Sequence, residues 1–242
     1  MPGLIICAIL FVLAAGFISF ISSPKGKGMV GEWKVKKICQ KTVLKPEYNV
    51  NNIIVTNDGK SSQIDHVVIR ENAIFVIETK NYSGRIYGKD NQQEWTQVLR
   101  YGKVKNHFYN PVKQNATHVY QLKKVLPEGT PIVSVVVFVQ NNTQYIEAQN
   151  VFNLAQLKKI LIQGKPVLNA EKMDAAYQAL TEAKESNHTS ARQHVAGINK
   201  MLEEINENIC PRCKGKLIKK NGKYGEFYGC ENYPTCKFIK KG

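Results

Sequence analysis

The stretch that most constrains this chain is Gln63–Lys80, QIDHVVIRENAIFVIETK, where two β-branched apolar runs flank the polar pair Glu71-Asn72. Such runs around a short polar break predict a β-hairpin, with Asn72 the residue best suited to a tight turn. An even-numbered loop centred there sets Asp65 across from Glu78 and Gln63 across from Lys80. Side chains alternate faces with period two, so these four project from one side. Opposed Cβ atoms lie roughly 5 Å apart, close enough for two carboxylates to share a divalent cation. The remaining positions are largely Val, Ile and Phe on both faces, the mark of a central strand pair in which unpaired charge is costly. Two acids and a lysine at the end of such a hairpin read either as a metal-dependent site or as a buried Glu–Lys ion pair. An odd-numbered loop would favour the second.

At 242 residues the chain holds one large domain or two small ones, and a net charge of +15 favours a polyanionic partner, either nucleic acid or an anionic membrane surface. Charge alone does not choose between them. Four of the six cysteines fall between Cys210 and Cys236, which excludes a disulfide framework spread along the chain. Cys7 and Cys39 are expected to be ordinary small apolar residues.

Gly3–Ile21 is an uncharged apolar run long enough to cross a bilayer, so residues 1–22 are expected to form a transmembrane anchor. A cleavable signal peptide would carry a positive n-region, and Met1-Pro2-Gly3 has none. Lys25, Lys27, Lys34, Lys36 and Lys37 follow, which places the bulk of a single-pass cell-membrane protein in the cytoplasm, N-terminus outside. Residues 23–28 read as a juxtamembrane linker. A helix is expected from Met29 to Leu44 with Glu32 near its start, then a strand over Tyr48–Thr56. Asn81–Asn110 reads as loop anchored by Trp95. Its interleaved Arg85, Tyr87, Lys89, Arg100, Tyr101, Lys103 and Lys105 either track a nucleic-acid backbone or form a solvated face. Pro111 suits the first turn of a helix on which Gln114 and His118 share a face. Ile132–Val139 is an apolar buried strand, and further helices are expected over 152–162, 171–184 and from Ala191. The expected domains are 29–165, a helical linker region 166–206, and a tail module 207–242.

In that tail, Cys210-x2-Cys213 and Cys230-x5-Cys236 have metal-ligand spacing, two thiolate pairs able to close a tetrahedral Zn²⁺ site. Two disulfides are the alternative. Between residues 207 and 242 nine Lys or Arg face three Glu, a net +6, with Tyr224, Phe227, Tyr228, Tyr233 and Phe238 interspersed. Basic groups hold phosphates and exposed rings stack on bases, so Lys219, Lys220, Tyr228 and Tyr233 are candidate nucleic-acid contacts.

Asp65 followed by Glu78-Thr79-Lys80 resembles the D…(D/E)-x-K core of restriction-endonuclease-like nucleases. Gly31 to about Leu122 resembles, more narrowly, the nuclease-related domain called NERD. The resemblance rests on Gly31-Glu32, Gln63-Ile64-Asp65-His66, Ile77-Glu78-Thr79-Lys80-Asn81, Ser83-Gly84, Tyr87-Gly88, Trp95, Asn110-Pro111, Gln114 and His118, in that order. Ile64 departs from the proline common before the aspartate. The resemblance implies an α/β fold, a mixed sheet flanked by helices. It implies Mg²⁺ (or Mn²⁺) held by Asp65, Glu78 and the Thr79 carbonyl, with Lys80 orienting or deprotonating water. Glu32, Gln63, Gln114 and His118 would support that site, while His66 falls on the opposite face and reads as structural. The run Cys210–Phe238 resembles the C-terminal zinc ribbons of type IA topoisomerases, which implies binding of DNA, single-stranded at the ribbon. Together these imply a membrane-anchored, metal-dependent nuclease acting on DNA or RNA, with no small-molecule cofactor. A catalytically inactive nucleic-acid-binding scaffold is the alternative. Replacing Asp65 or Lys80 is expected to end cleavage and leave the fold intact.

Overall fold

The computed structural model describes residues 19–57, 60–186, 191–222 and 225–241, and the chain divides into two compact units, 1–188 and 189–242. In chain order the first unit contains α1 (Pro24–Gln40), β1 (Asn49–Asn57), β2 (Lys60–Ile69), β3 (Ile74–Lys80), β4 (Arg85–Lys89), β5 (Glu94–Leu99), β6 (Val104–Tyr109) and α2 (Pro111–Lys123). It continues with β7 (Ile132–Phe138), β8 (Ile146–Glu147), β9 (Val151–Asn153), α3 (Leu154–Ile162) and α4 (Ala170–Ser186).

Its centre is a mixed sheet in the order β1-β2-β3-β7-β9, antiparallel from β1 to β3 and parallel from β3 to β9. Alternation on β3 sends Phe75 and Ile77 to the face covered by α1 and α3, where they meet Val35, Cys39 and Leu157. Ile74 and Val76 go to the other face, with Leu122 of the α2 helix and Met173 of the α4 helix. Burying a side chain of this size stabilises by about 2 kcal/mol, so helices are held on both faces of these strands. That is why β2 and β3 lack a polar face.

The hairpin forms in the expected register, His66 opposite Ile77 and Ile69 opposite Ile74, with Arg70 N donating to Ala73 O at 3.1 Å. Neither tip residue takes a positive φ. Asn72 serves instead as a tie, its Nδ2 donating to the carbonyls of Leu161 (3.0 Å) and Gln163 (2.6 Å) at the end of α3.

Three expectations are corrected. Residues 81–110 are not mainly loop: they supply three strands of a second sheet, ordered β6-β5-β4-β8. Only one face of it is apolar, with Ile86, Trp95 and Phe108 packed on Phe138, and Gly88, Gln97 and Asn106 on that same face hide the alternation. Trp95 is fully buried and stacks on Phe138 at 6.2 Å, as its role of core anchor requires. The stretch expected as linker is helical from Pro24, because Ser23 Oγ caps the Gly26 amide at 3.1 Å and Pro24 occupies the first turn. The region 166–206 is divided: α4 packs Met173, Ala176 and Leu180 into the first core, and the next helix falls in the second unit.

The apolar run over residues 3–21 lies mostly outside the described residues, among which no helix is long and apolar enough to cross a membrane. The second unit comprises α5 (Ala191–Asn206) and a sheet of β10 (Leu217–Gly222), β11 (Gly225–Cys230) and β12 (Ile239–Lys241). Lys214 Nζ, 2.6 Å from Glu204 Oε2, and Ile209 N, donating to Glu204 O at 2.7 Å, join that helix to the sheet.

Candidate active site and zinc centre

The acids gather at a fork in the central sheet. β3 stays paired with β7 as far as Lys80 opposite Phe138, and β2 stays with β1, but pairing of β2 with β3 ends at His66 and Ile77. Past that point the Thr79 amide donates to Asp65 Oδ2 at 2.8 Å rather than to a strand carbonyl. The direct opposition expected of Asp65 with Glu78, and of Gln63 with Lys80, is therefore replaced by a notch between the strands. On the other side of Asp65 the β1 ladder skips Asn52, which takes φ +53° between the pairs Asn51–His66 and Ile53–Ile64.

Glu78 is 3% exposed, and its Oε1 accepts from Lys80 Nζ at 2.6 Å. Lys80 also donates to Gln114 Oε1 at 3.0 Å. His118 Nε2 lies 3.3 Å from Glu78 Oε2, an ion-pair distance whose angle misses hydrogen-bond geometry. Sequence spacing put Gln114 and His118 on one helix face but did not reveal what aims it. Asn115 does so: its Nδ2 donates to Val76 O (2.8 Å), Ser134 Oγ (2.9 Å) and Val135 O (3.1 Å), pinning α2 across β3 and β7. Asn110 caps the same helix through Val112 N at 2.9 Å and donates to the Gln92 carbonyl at 2.8 Å.

Gln63 is half-buried and reaches Asn52 Oδ1 at 3.5 Å rather than an acid. His66 is buried away from the notch, with Nδ1 2.6 Å from Asn51 Oδ1, and burial lowers its pKa to about 4, so it is neutral. It holds strands together, as its opposite-face position implied.

Burial, then the charges of Glu78 and Glu32, pushes the Asp65 carboxyl up to about 8 despite the Thr79 amide. Burial also raises Glu32, with Glu78 adding to it, while a hydrogen bond to Asn52 works the other way. Glu78 goes down: burial alone would raise it, but His118 and Lys80 outweigh burial. Lys80 rises because Glu78 overcomes the effect of its burial. Lys80 pairs with Glu78 and offsets the charge of Asp65 only in part, so among the described residues the acids of the notch outnumber this lysine.

That donor set fits a hard divalent cation. Carboxylate oxygens are its ligands, burial and the neighbouring acids push Asp65 toward neutrality, and Glu78 Oε2 has only the 3.3 Å contact with His118 among the described residues. The acids are looser than the cysteines, since among the described residues only the cysteines gather three or more ligating groups within 4.8 Å. Mg²⁺ keeps several waters and needs one or two carboxylates, so a loose set suits it.

The cysteine centre is closed. Cys210, Cys213, Cys230 and Cys236 offer sulfurs within 4.8 Å of one another, with Cys210–Cys236 at 3.6 Å and Cys213–Cys230 at 3.2 Å. Sulfurs bound tetrahedrally to zinc stand about 3.8 Å apart, so this cage fits Zn²⁺ and is not a pair of disulfides. Lys214 at φ +61° makes the first turn, with Lys214 N donating to Cys210 O at 2.8 Å; Asn232 N–H donors reach Cys213 Sγ at 3.4 Å from the second. The Gly215 amide first, then Asn232, holds the Cys213 thiol down to about 6, ready to ligate as thiolate.

Of the ribbon's aromatic side chains, Tyr233 is 66% exposed, with Lys220 Nζ 5.9 Å from its ring. Tyr228 packs on the cysteine core with Lys240 over it at 5.3 Å, and Lys219 pairs with Glu226 at 2.9 Å. Lys219 and Tyr228 are opposed on the zinc face of the sheet, so the four candidate contacts do not share one surface. Tyr224 lies outside the described residues.

Residues 27–139 match the nuclease-related domain family, and residues 207–242 match the topoisomerase DNA binding C4 zinc finger. An uncharacterised protein of Bacillus anthracis is 40% identical over 116 residues, 48% of this chain and 54% of that protein. DNA topoisomerase 1 of Helicobacter pylori is 50% identical over 44 residues, 18% of this chain and 6% of the enzyme. DNA topoisomerase 1 of Methanocaldococcus jannaschii is 62% identical over 34 residues, 14% of this chain and 4% of the enzyme. The chain thus spans about half the length of the first relative and a small part of the others. No solved structure matches it. The two matched regions are the two folded sites described above, and the chain carries a nuclease-related domain followed by a topoisomerase-type C4 zinc ribbon.

Proposed function

We propose that the chain is a metal-dependent nuclease held at the membrane, whose ribbon captures single-stranded nucleic acid, DNA in preference to RNA. The observation that carries this reading is the geometry of the fork: the Thr79 amide fixes Asp65 Oδ2 at 2.8 Å beside the buried Glu78–Lys80 pair, with Glu32 as a further nearby acid. Asp65, Glu78 and the Thr79 carbonyl would hold Mg²⁺ or Mn²⁺. A bound divalent ion supplies Lewis-acid stabilisation of the phosphate.

The chain's own groups account for the remaining chemistry. Lys80 Nζ, fixed by Glu78 and Gln114, presents a cation toward the notch and orients the attacking water. Asp65, fixed by the Thr79 amide at 2.8 Å, keeps a carboxylate oxygen at the rim of the notch. Glu32 and Gln63 keep the Asn52 edge of the notch polar, and His118 limits how far Glu78 can turn. At the ribbon, Lys220 and the exposed Tyr233 supply a basic and an aromatic group on one surface that can hold a strand, with Lys219 and Tyr228 on the other face, and the DNA-binding name of the matched zinc finger supports this.

One observation favours the inactive scaffold: Lys80 Nζ is already engaged by Glu78 Oε1 at 2.6 Å and Gln114 Oε1 at 3.0 Å. The deciding experiment incubates the purified chain with single- and double-stranded DNA and RNA, with and without Mg²⁺ or Mn²⁺, beside Asp65→Ala. Metal-dependent cleavage lost in Asp65→Ala supports the nuclease. Binding without cleavage under every condition supports the scaffold.

The membrane part rests on the apolar run 3–21 and the lysines that follow it. Zinc thiolates agree, since they persist in a reducing compartment. A reporter active only outside the cytoplasm, fused after Gly242, should stay silent. Its activity would reverse the orientation.

A further inference from the structure

The second sheet carries a basic, aromatic groove that the catalytic reading leaves unused. On β4, Ile86 and Gly88 are buried and Arg85, Tyr87 and Lys89 are exposed. The register sets Arg85 beside Val98 and Val98 beside Lys105, then Tyr87 beside Thr96 and Thr96 beside His107. Cross-strand neighbours share a face, so two rows run side by side over the open surface. With Arg100 and Tyr101 at the rim they line a cavity of about 920 Å³ whose walls hold no acidic residue. Tyr145 stacks on Tyr87 at 4.8 Å, and Arg85 lies 5.9 Å from the Tyr145 ring. The β5–β6 tip runs through Arg100 (φ +49°), Tyr101 (φ +56°) and Gly102 (φ +98°). Left-handed backbone is disfavoured for residues with a Cβ, and here it sets Tyr101 wholly in solvent above the groove.

We propose that this groove binds a single-stranded nucleic-acid segment flanking the bond cut at the Asp65 fork. Arg85, Arg100 and Lys105 take the phosphates, and Tyr101 and Tyr87 stack on bases. Its role beside a scissile bond rests on the nuclease reading; its binding does not. The occupant follows from shape and charge. Three strands span about 10 Å from β4 to β6, room for one strand rather than a duplex. A polyanion meets Arg85, Arg100 and Lys105 with no acid among the residues lining the cavity, and every base offers a face to a tyrosine. An anionic bilayer offers charge to the same cations but no ring faces for the tyrosines to stack on, and its flat surface does not enter a concave groove.

The groove is tied to the notch. Four residues separate Lys80 from Arg85, at most about 18 Å of extended chain. That segment is clamped by Asn142 Nδ2 on the carbonyls of Tyr82 (2.8 Å) and Gly84 (2.9 Å), and by Gln97 Nε2 on Ser83 O at 2.8 Å. A strand leaving the fork therefore reaches the groove within a few nucleotides.

The test uses the full chain carrying Asp65→Ala, so that no strand is cut and no chelator disturbs the zinc. Single-stranded DNA bearing 5-iodouracil is cross-linked to it by light, and the adducts are mapped by mass spectrometry. Adducts at Tyr101 or Tyr87 are expected; adducts confined to residues 207–242 overturn the proposal. In parallel, Arg85→Glu with Lys105→Glu, both exposed, should weaken binding of the same strand at least tenfold and flatten the salt slope by about 1.4. Unchanged affinity and slope overturn it. So does loss of binding to phosphatidylserine vesicles with strand affinity intact, which would assign the face to the membrane. Absence of cleavage by the unaltered chain would defeat the nuclease reading and leave these binding results decisive for the groove.

Discussion

Thr79 gives its backbone N–H to Asp65 Oδ2 at 2.8 Å, and that bond ends the β2–β3 ladder. A strand amide needs an acceptor, and here a carboxylate takes the place of the partner strand's carbonyl. Two consequences follow. The strands part, so Glu78 and Lys80 face a notch instead of a neighbouring strand. Asp65 is also held at a fixed point on its rim. The amide favours the ionised form of Asp65, but burial and Glu78 outweigh it.

Lys80→Met will unfold the chain more readily, contrary to the expectation that the fold survives loss of this lysine. It leaves Glu78, at 3% exposure, as an uncompensated charge, and breaking a buried pair costs about 3 kcal/mol or more. Because Lys80 is itself only 15% exposed, solvent screens little of this. Lys80→Met combined with Glu78→Gln should recover much of the loss. Urea unfolding of the four proteins measures the coupling. A Lys80→Met protein as stable as the parent would show that Glu78 has found another partner.

Divalent-cation binding should strengthen as pH rises toward 8. The ordinary Asp65 value of 3.8 becomes about 8 in the folded protein, so between these limits the folded state holds a proton that the unfolded state has lost. Without metal, the stability present at acid pH therefore declines as pH rises through that window and levels off above it. A cation needs the ionised carboxylate and must displace the proton below pH 8. The gain in Tm from Mg²⁺ should be small at pH 5.5 and large at pH 8.5. Equal gains at both would separate Asp65 from the metal site.

What was legible in the sequence was local and periodic. The hairpin register followed from alternation around Glu71-Asn72, and Glu78 and Lys80 share a face because they are two apart. Cysteine spacing sufficed for the zinc cage. The fork was not legible, since it depends on β3 keeping β7 as its partner, far away in the sequence. Nor was the anchoring of α2, because the acceptors of Asn115 are carbonyls and a hydroxyl on two other strands. The second sheet was missed for a different reason. Each of its three long strands buries little, so the signal reduces to Ile86, Trp95 and Phe108. The buried–exposed alternation of Arg85–Lys89 was nevertheless there to be read.

One zinc per chain should be found by metal analysis, and Cys210→Ser should release it. The core of the ribbon is Leu217 and the cysteines, with Tyr228 and Phe238 packed against them, too little apolar area to fold without metal. Chelation should therefore abolish the ribbon's near-ultraviolet dichroism and leave the thermal transition of the first unit in place. A ribbon that stays folded after zinc is stripped under reducing conditions would contradict the four-thiolate cage.

Asn52 offers the sharpest test of the fork's second side. Its φ of +53° within β1 is tolerated by Asn or Gly and resisted by a β-branched residue. Sequence patterning alone recommends Val at this point of the run NVNNIIV, since Val has the better strand propensity. The structure reverses that ranking. Asn52→Val should destabilise by about 1–2 kcal/mol, the penalty of a left-handed backbone for a residue with a Cβ. Asn52→Gly should keep the fold while removing the hydrogen bonds that reach Glu32 and Gln63. With that bond gone, nothing offsets the burial of Glu32, and its pKa should rise further. Carbon-detected NMR titration of the Glu32 carboxyl in the Gly variant reads this directly. If Asn52→Val is as stable as the parent, β1 runs straight past Asp65 and the notch has only one built edge.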